Sequence, residues 1–253
     1  MFTQERHAAI LRIVSERGAA TVSDLVEELH SSESTIRRDL STLDDQRLLH
    51  KVHGGATALE SPTVQFTREE YGVDYKYEQN TEEKKRIARR AASLITKNDF
   101  VFLDAGTSIE GMVDYLECKE AVYVTTGILL ARKLARSGFQ VYVPAGRIKP
   151  VTEAIVGGES LQALARYNFT LGFFGTNGIT LREGFTTPDI EEARTKTAAL
   201  QRCKRRLVLA DHSKFDNASA VTFASLRDAE IITGSLPDAQ YRNYTKITEV
   251  DKP

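Results

Sequence analysis

Residues 21–56 read TVSDLVEELHSSESTIRRDLSTLDDQRLLHKVHGGA, and a run with this order of signals leaves few folds open. Thr21 and Asp24 make a helix start of the capping-box kind, with Asp in the place usually held by Glu or Gln; Leu25, Val26 and Leu29 follow as one apolar face. His30, Ser31 and Ser32 form a tight turn. Ser32 is placed to cap a second helix in which Ile36, Leu40 and Leu43 recur at the helical period, so that side packs inward. At about 100° per residue, Ser34, Arg38 and Ser41 lie opposite this stripe, and Thr35 and Arg37 lie on its flanks. Such a polar, small, partly cationic face suits a DNA major groove, where Arg reads guanine with two hydrogen bonds and Ser or Thr reaches bases or phosphates. Residues 47–56 then supply two short strands. The Gly54-Gly55 pair permits a bend that brings backbone amides close to a phosphate, with Lys51 and His53 as wing contacts. A lone Arg-Arg pair is more often a solvated helix face, so the weight rests on the order of helix, capped helix and hairpin.

Charge does not advertise this role. The 253 residues carry a net charge of −1, and residues 1–57 hold seven Lys and Arg against nine Asp and Glu. The basic surface is therefore local: Arg37, Arg38, Arg47 and Lys51. A surface that small implies modest affinity per subunit, and hence a homo-oligomer, a dimer or tetramer, on repeated half-sites of double-stranded operator DNA. No stretch approaches the ~18 consecutive apolar residues of a membrane span, and the start MFTQERHAAI lacks a signal-peptide layout. The expectation is a cytoplasmic protein with no membrane partner. Cys118 and Cys203 are far apart and without ligand spacing, so free thiols are expected, with no metal centre and no cofactor.

Before this run, residues 4–17 place Ile10, Leu11, Ile13 and Val14 at helical spacing and end near Gly18, completing a three-helix core. We read residues 1–57 as one domain. Residues 58–80, with Pro62, Phe66, Tyr71, Tyr75 and Tyr77, read as a connection whose aromatics dock on a neighbour or serve a dimer contact. From residue 81 to 253, helices alternate with short β-rich runs, the pattern of an α/β domain with a mostly parallel sheet. Helices are expected over 81–95, from 108 through 116, over 128–136 and after Pro188-Asp189; strands over 100–103, 121–125, 140–143, 169–174 and 206–210, with 231–233 and 244–248 as edge strands. The segments 104–108, 125–127, 175–178 and 184–187 are rich in small and hydroxyl residues. In open α/β sheets ligands sit beyond the carboxyl ends of the strands, where these loops converge, and Gly106-Thr107-Ser108 at a helix start is the phosphate candidate.

Helix, Ser-capped helix with TIRRDL at 35–40, and hairpin ending HGGA at 53–56 together resemble the winged helix-turn-helix of the DeoR-type family of bacterial sugar-catabolism repressors. Ser31, where an apolar residue is usual, and Gln46, where Gly usually ends the helix, depart from it. The resemblance continues through Asp104-Ala-Gly-Thr-Ser108, Gly157-Gly158, Phe174-Gly-Thr-Asn-Gly178, Thr186-Thr187 with Glu192-Ala193, and Asp211-His-Ser-Lys-Phe215. It implies a sensor domain similar in fold to ribose-5-phosphate isomerase that takes a phosphorylated sugar. Carried across, Asp104, Gly106, Thr107 and Ser108 hold phosphate and sugar hydroxyls, Thr125, Thr126 and Gly175 line the same cleft, and Asp211 and Lys214 close it. Lys214 is equally readable as an ion-pair partner of Asp211. Thr126, Thr170 and Gly234 depart from the family pattern and are expected to tune the ligand. Glu191, Glu192 and Lys196 reach the sugar or form a solvated helix face. GFTTPDIEEA and FFGTNGI resemble fructose-operon repressors most, which points to fructose 1-phosphate and then to another hexose or pentose phosphate. The function implied is a transcriptional regulator and not an enzyme. The alternative is an isomerase-like enzyme using Asp104, Asp211 and Lys214.

Overall fold

The computed structural model describes residues 3–46, 48–58, 65–67 and 77–250, and the chain divides into two compact units, Met1–Thr63 and Val64–Pro253. In the first, helices α1 (Thr3–Arg17), α2 (Val22–Leu29) and α3 (Glu33–Asp45) enclose Ile10, Ile13, Val14, Leu25, Leu29, Ile36, Leu40 and Leu43. α1 stops where Gly18 takes φ +76°, a conformation an L side chain rarely adopts. The capping box forms with Asp: Thr21 Oγ1 accepts from the Asp24 amide at 3.1 Å and the Asp24 carboxylate accepts from the Thr21 amide at 3.1 Å. His30, left-handed at φ 47°, turns the chain, and Ser32 Oγ then caps α3 by accepting from the Thr35 amide at 3.3 Å. Gln46 ends α3 without a glycine, its amide bonded back to the Thr42 carbonyl at 3.1 Å.

The wing contains three strands where the sequence suggested two: Gly55–Thr57 pairs with His50–Val52 and with Ala19–Thr21, a segment too short to carry a strand pattern. This contact corrects the role expected of Gly55. A Cβ there would lie 2.3 Å from the Ala20 carbonyl oxygen, so strand approach requires the glycine, while Gly54, at φ +84°, makes the bend. Arg47 lies outside the described residues.

The second unit is organised by a seven-stranded sheet in the order Ile247–Glu249, Glu230–Thr233, Cys203–Leu209, Phe169–Gly175, Phe100–Leu103, Val122–Thr125 and Gln140–Tyr142, every neighbouring pair parallel. Side chains alternate between its faces, as a strand's period of two demands. Val101, Leu103, Phe173, Leu207 and Leu209 join one core with the helix Thr81–Ala92; Phe102, Phe174, Val208 and Ile231 join the other with the helix Ile190–Gln201. Glu230–Thr233 is paired on both sides, so only Ile247–Glu249 of the two expected edge strands is at the edge. Gly184–Thr187, read as a loop, and Gly178–Thr180, which begins where the loop read at 175–178 ends, form a small antiparallel sheet with Val221–Ala224. The expected helix from 108 to 116 is one α-turn, Thr107–Glu110, continued as a 3-10 turn over Gly111–Tyr115. Within the supposed connection, Gln65–Thr67 pairs in parallel with Asn217–Ser219, and the Tyr77 hydroxyl donates to Glu110. Pro62, Tyr71, Tyr75 and the side chain of Phe66 lie outside the described residues.

Candidate functional site

The outward face of α3 carries Ser34, Arg37 and Arg38, all exposed, with Thr35 and Ser41 half-buried. Arg37 is turned along the helix onto Glu33, its Nη2 2.6 Å from Oε1. The Arg38 guanidinium has no partner among the described residues, which leaves it available to an incoming acceptor. Ser32 Oγ lies 3.1 Å from Ser34 Oγ and 2.8 Å from Thr35 Oγ1, so these hydroxyls form a chain at the helix start. The wing's Lys51 is exposed and reaches back to Ser41 Oγ at 2.8 Å, while its amide donates to Asp44 at 3.1 Å; His53 and Gly54 are exposed, and Gly55 is buried.

Sequence reasoning missed Asp39. It faces inward from α3, is 4% exposed, and accepts from Arg6 Nε at 2.5 Å and Nη2 at 3.2 Å, with His7 Nε2 at 3.0 Å. Burial works to raise its pKa, but Arg6 and His7 outweigh it and hold the carboxyl below its ordinary value. The signal available in sequence was a charged residue on the apolar side of an otherwise regular stripe.

In the second unit the strand order decides where a ligand can sit. From Phe100–Leu103 the chain adds Val122–Thr125 and Gln140–Tyr142 on one side, then crosses to add Phe169–Gly175 and its successors on the other. The carboxyl ends of Phe100–Leu103 and Phe169–Gly175 thus flank a topological switch point, where open α/β sheets leave a crevice. A cleft opens there. Its lining includes Gly106, Thr107, Ser108 and Gly175 with Lys196 and Lys214; Lys84, Thr152, Thr176, Asn177 and Glu192 complete the polar wall.

Of the nine effector residues expected from sequence, Gly106, Thr107, Ser108, Gly175 and Lys214 line this cleft. Asp104 does not. It lies beneath the cleft, where Lys196 Nζ donates to its Oδ2 and the Gly175 amide donates to the same oxygen at 2.9 Å; the two side chains are 5% and 6% exposed. Burial raises the Asp104 pKa and Lys196 opposes that shift. Thr125 and Thr126 are buried in the turn: Thr125 Oγ1 accepts from the Gly127 amide at 3.0 Å, and the Thr126 carbonyl accepts from Ile155 at 2.7 Å. Asp211 is 1% exposed. Its Oδ1 accepts from Asn80 Nδ2 at 2.8 Å and the Ser213 amide at 3.1 Å, and from the Ser213 hydroxyl. No ion pair joins Asp211 to Lys214 among the described residues, yet the Lys214 charge contributes, against the effect of burial, to holding the Asp211 carboxyl low. The Lys214 ammonium has no partner among the described residues and faces the cleft.

The solvated reading of the helix after Asp189 is corrected for two residues. Lys196 is 5% exposed, and Glu192 faces the cleft, accepting from Thr152 Oγ1 at 2.5 Å and Lys149 Nζ at 3.1 Å; Glu191 points away and pairs with Arg147. Two of the departures do not line the cleft. Thr170 sits at the amino end of its strand, away from the cleft, and donates to Asp99 Oδ1 at 2.6 Å. Gly234 makes room for Glu83, whose Oε1 would lie 2.3 Å from any Cβ there; Glu83 in turn holds the His212 amide at 2.9 Å and Nδ1 at 2.6 Å. Ligand atoms of Glu83, Asp211 and His212 lie within 4.8 Å of one another, but Glu83 and His212 already satisfy each other and two lysines act on Asp211, so the group does not favour a cation. Cys118 and Cys203 are free, and burial pushes the Cys203 thiol up to about 12. The isomerase reading needs Asp104 as an accessible base, and Lys196 occupies it.

Residues 6–62 match the DeoR-like helix-turn-helix domain and residues 79–235 the DeoR C terminal sensor domain. The chain is 40% identical to an uncharacterized HTH-type transcriptional regulator, FruR, of Bacillus subtilis, over 99% of this chain and 98% of that one. It is 35% identical to the HTH-type transcriptional regulator GlpR of Haloferax volcanii (96% and 94%) and 31% identical to a lactose phosphotransferase system repressor of Staphylococcus epidermidis (90% and 90%). Among solved structures it is similar to ribose 5 phosphate isomerase A from Neisseria gonorrhoeae at 15% identity and a TM-score of 0.39, over 52% of each chain. No helix among the described residues is long and apolar enough to cross a membrane.

Proposed function

The chain belongs to the DeoR family of helix-turn-helix transcriptional regulators, and from that premise we propose that it represses a sugar uptake or catabolic operon in the cytoplasm. In this reading a homo-oligomer holds duplex operator DNA through α3 and the wing, and a phosphorylated sugar in the switch-point cleft controls that grip. The observation that carries it is the cleft's composition: a free Lys214 ammonium and the Thr107 and Ser108 hydroxyls suit a phosphate, while Thr176, Asn177 and Glu192 suit sugar hydroxyls. Asp104 becomes a positioning residue that holds Lys196 and touches no ligand. Fructose 1-phosphate is the first candidate, and other hexose or pentose phosphates follow.

A thermal-shift panel of phosphosugars on the full chain tests this. At a hundredfold excess over Kd a ligand adds about 2.7 kcal/mol by mass action, and the melting temperature should rise by several degrees. Free sugar or inorganic phosphate alone should give far less. If no phosphosugar shifts the wild type, or if Lys214→Ala responds as the wild type does, the cleft is not the effector site.

A further inference from the structure

The amino-terminal ends of the sheet strands carry a second feature, on the edge opposite the cleft. Lys204, Arg205 and Arg206 start the strand Cys203–Leu209, Arg227 lies in the turn before Glu230–Thr233, and Lys246 precedes Ile247–Glu249. Together they line one open groove.

Its carboxylates do not balance it. Glu230 takes Arg205 through two 2.8 Å bonds and Lys246 at 3.2 Å, so one negative charge serves two cations. The Asp228 carboxylate is spent on the Ser225 cap, accepting from the Ser225 amide at 2.8 Å and hydroxyl at 2.7 Å. Arg206 donates to backbone carbonyls, those of Cys203 at 3.2 Å and Asp228 at 3.4 Å, which leaves its charge uncompensated. Lys204 and Arg227 are exposed with no side-chain partner among the described residues. Five cations face two carboxylates here, in a chain whose net charge is −1. Among the described residues no further carboxylate balances that excess.

We infer that this groove holds the sugar-phosphate backbone of duplex DNA outside the half-site read by α3. Residues 1–57 carry seven cations against nine acids, and Arg37 is bound by Glu33, so few phosphates can be neutralised from the recognition unit itself. Duplex DNA is a dense polyanion whose binding strength grows with the number of phosphates neutralised. The groove offers cations on strand starts and turns and no helix to enter a base groove, so it adds affinity and salt dependence but no sequence preference. This rests on the DNA-binding reading above.

The test compares the full chain with Lys204→Gln/Arg227→Gln on duplexes selected by the wild type from random sequence. One duplex ends at the selected site and another extends ~15 base pairs beyond it on each side, more than one helical turn. The wild type should bind the extended duplex more tightly, and the double variant should lose most of that gain. Its slope of log affinity against log salt should be smaller by about two, since each lost phosphate contact removes ~0.9. Its base preference, its melting temperature and its response to phosphosugars should stay as in the wild type. Equal affinity and equal salt slope for variant and wild type on the extended duplex overturn the inference, including the case in which the groove takes only a small anion or an acidic protein. Arg38→Ala separates the two readings: if it loses sequence preference while the double variant behaves as wild type, DNA binding stands and the groove falls. A wild type that bound no duplex would overturn both.

Discussion

Asp39 faces the same way as Ile36, Leu40 and Leu43, and a carboxylate buried there costs several kcal/mol unless it is paired. Arg6 and His7, both from α1, supply the pairing and so tie α3 to the first helix. Asp39→Asn leaves the half-buried Arg6 and His7 without their shared carboxylate acceptor, so it should destabilise the first unit by roughly 1–3 kcal/mol in urea denaturation at pH 7. Because the folded pKa lies below the unfolded one, this contribution is full above about pH 4 and is lost as pH falls through the lowered folded value. The gap between Asp39→Asn and the wild type should therefore close in acid; a gap unchanged down to pH 2 would show that the carboxylate's charge is not what binds α1 to α3. Asp39 was visible as a letter, but its partners lie 32 and 33 residues away.

At the scale of elements, the wing depends on Gly55 more than on Gly54. At Gly55 any side chain meets the Ala20 backbone, which cannot yield as a flexible side chain does, whereas Gly54 has open space and only an unfavourable φ. Gly55→Ala should cost roughly 1–3 kcal/mol and weaken operator binding together with stability, while Gly54→Ala should cost ~1 kcal/mol. Paired denaturation curves of the two variants check this, and a cost for Gly54→Ala equal to or above that of Gly55→Ala would show that the strand contact is not limiting. Helices α2 and α3 were legible because their determinants are local: the Thr21–Asp24 box, a Ser cap and an apolar period act within a few residues. Residues 178–180 and 184–187 were not legible as strands, because three or four residues carry too little alternation and their third strand comes from residues 221–224.

For the whole molecule, the proposed effector must favour one of two states of a protein whose operator affinity differs between them, and the coupling can be no larger than its differential affinity for the two. Saturating phosphosugar should change operator affinity by roughly 5–150-fold, the range of ~1–3 kcal/mol couplings, measured by anisotropy with and without the ligand. Lys214→Ala should leave ligand-free operator binding near the wild-type value and remove that response. A variant that binds operator normally and responds at the wild-type ligand concentration would place the effector elsewhere.

Residues read in order were enough for the helix, capped helix and hairpin and for the α/β class of the second unit, because capping and periodicity are short-range and survive without knowledge of the rest of the chain; the family came from the resemblance carried by residues 35–40, 53–56 and the loop segments of the second unit. The glycine and hydroxyl loop at 106–108 was visible for the same reason. What only the tertiary structure decided is which charges meet. Lys196 reaches Asp104 across 92 residues, and Asn80 reaches Asp211 across 131. The cleft exists where it does because the sheet grows to both sides of Phe100–Leu103, and no local pattern records strand order. An ionised carboxylate reads alike in sequence whether it faces a ligand or a buried lysine, and at Asp104 burial beside Lys196 made the difference.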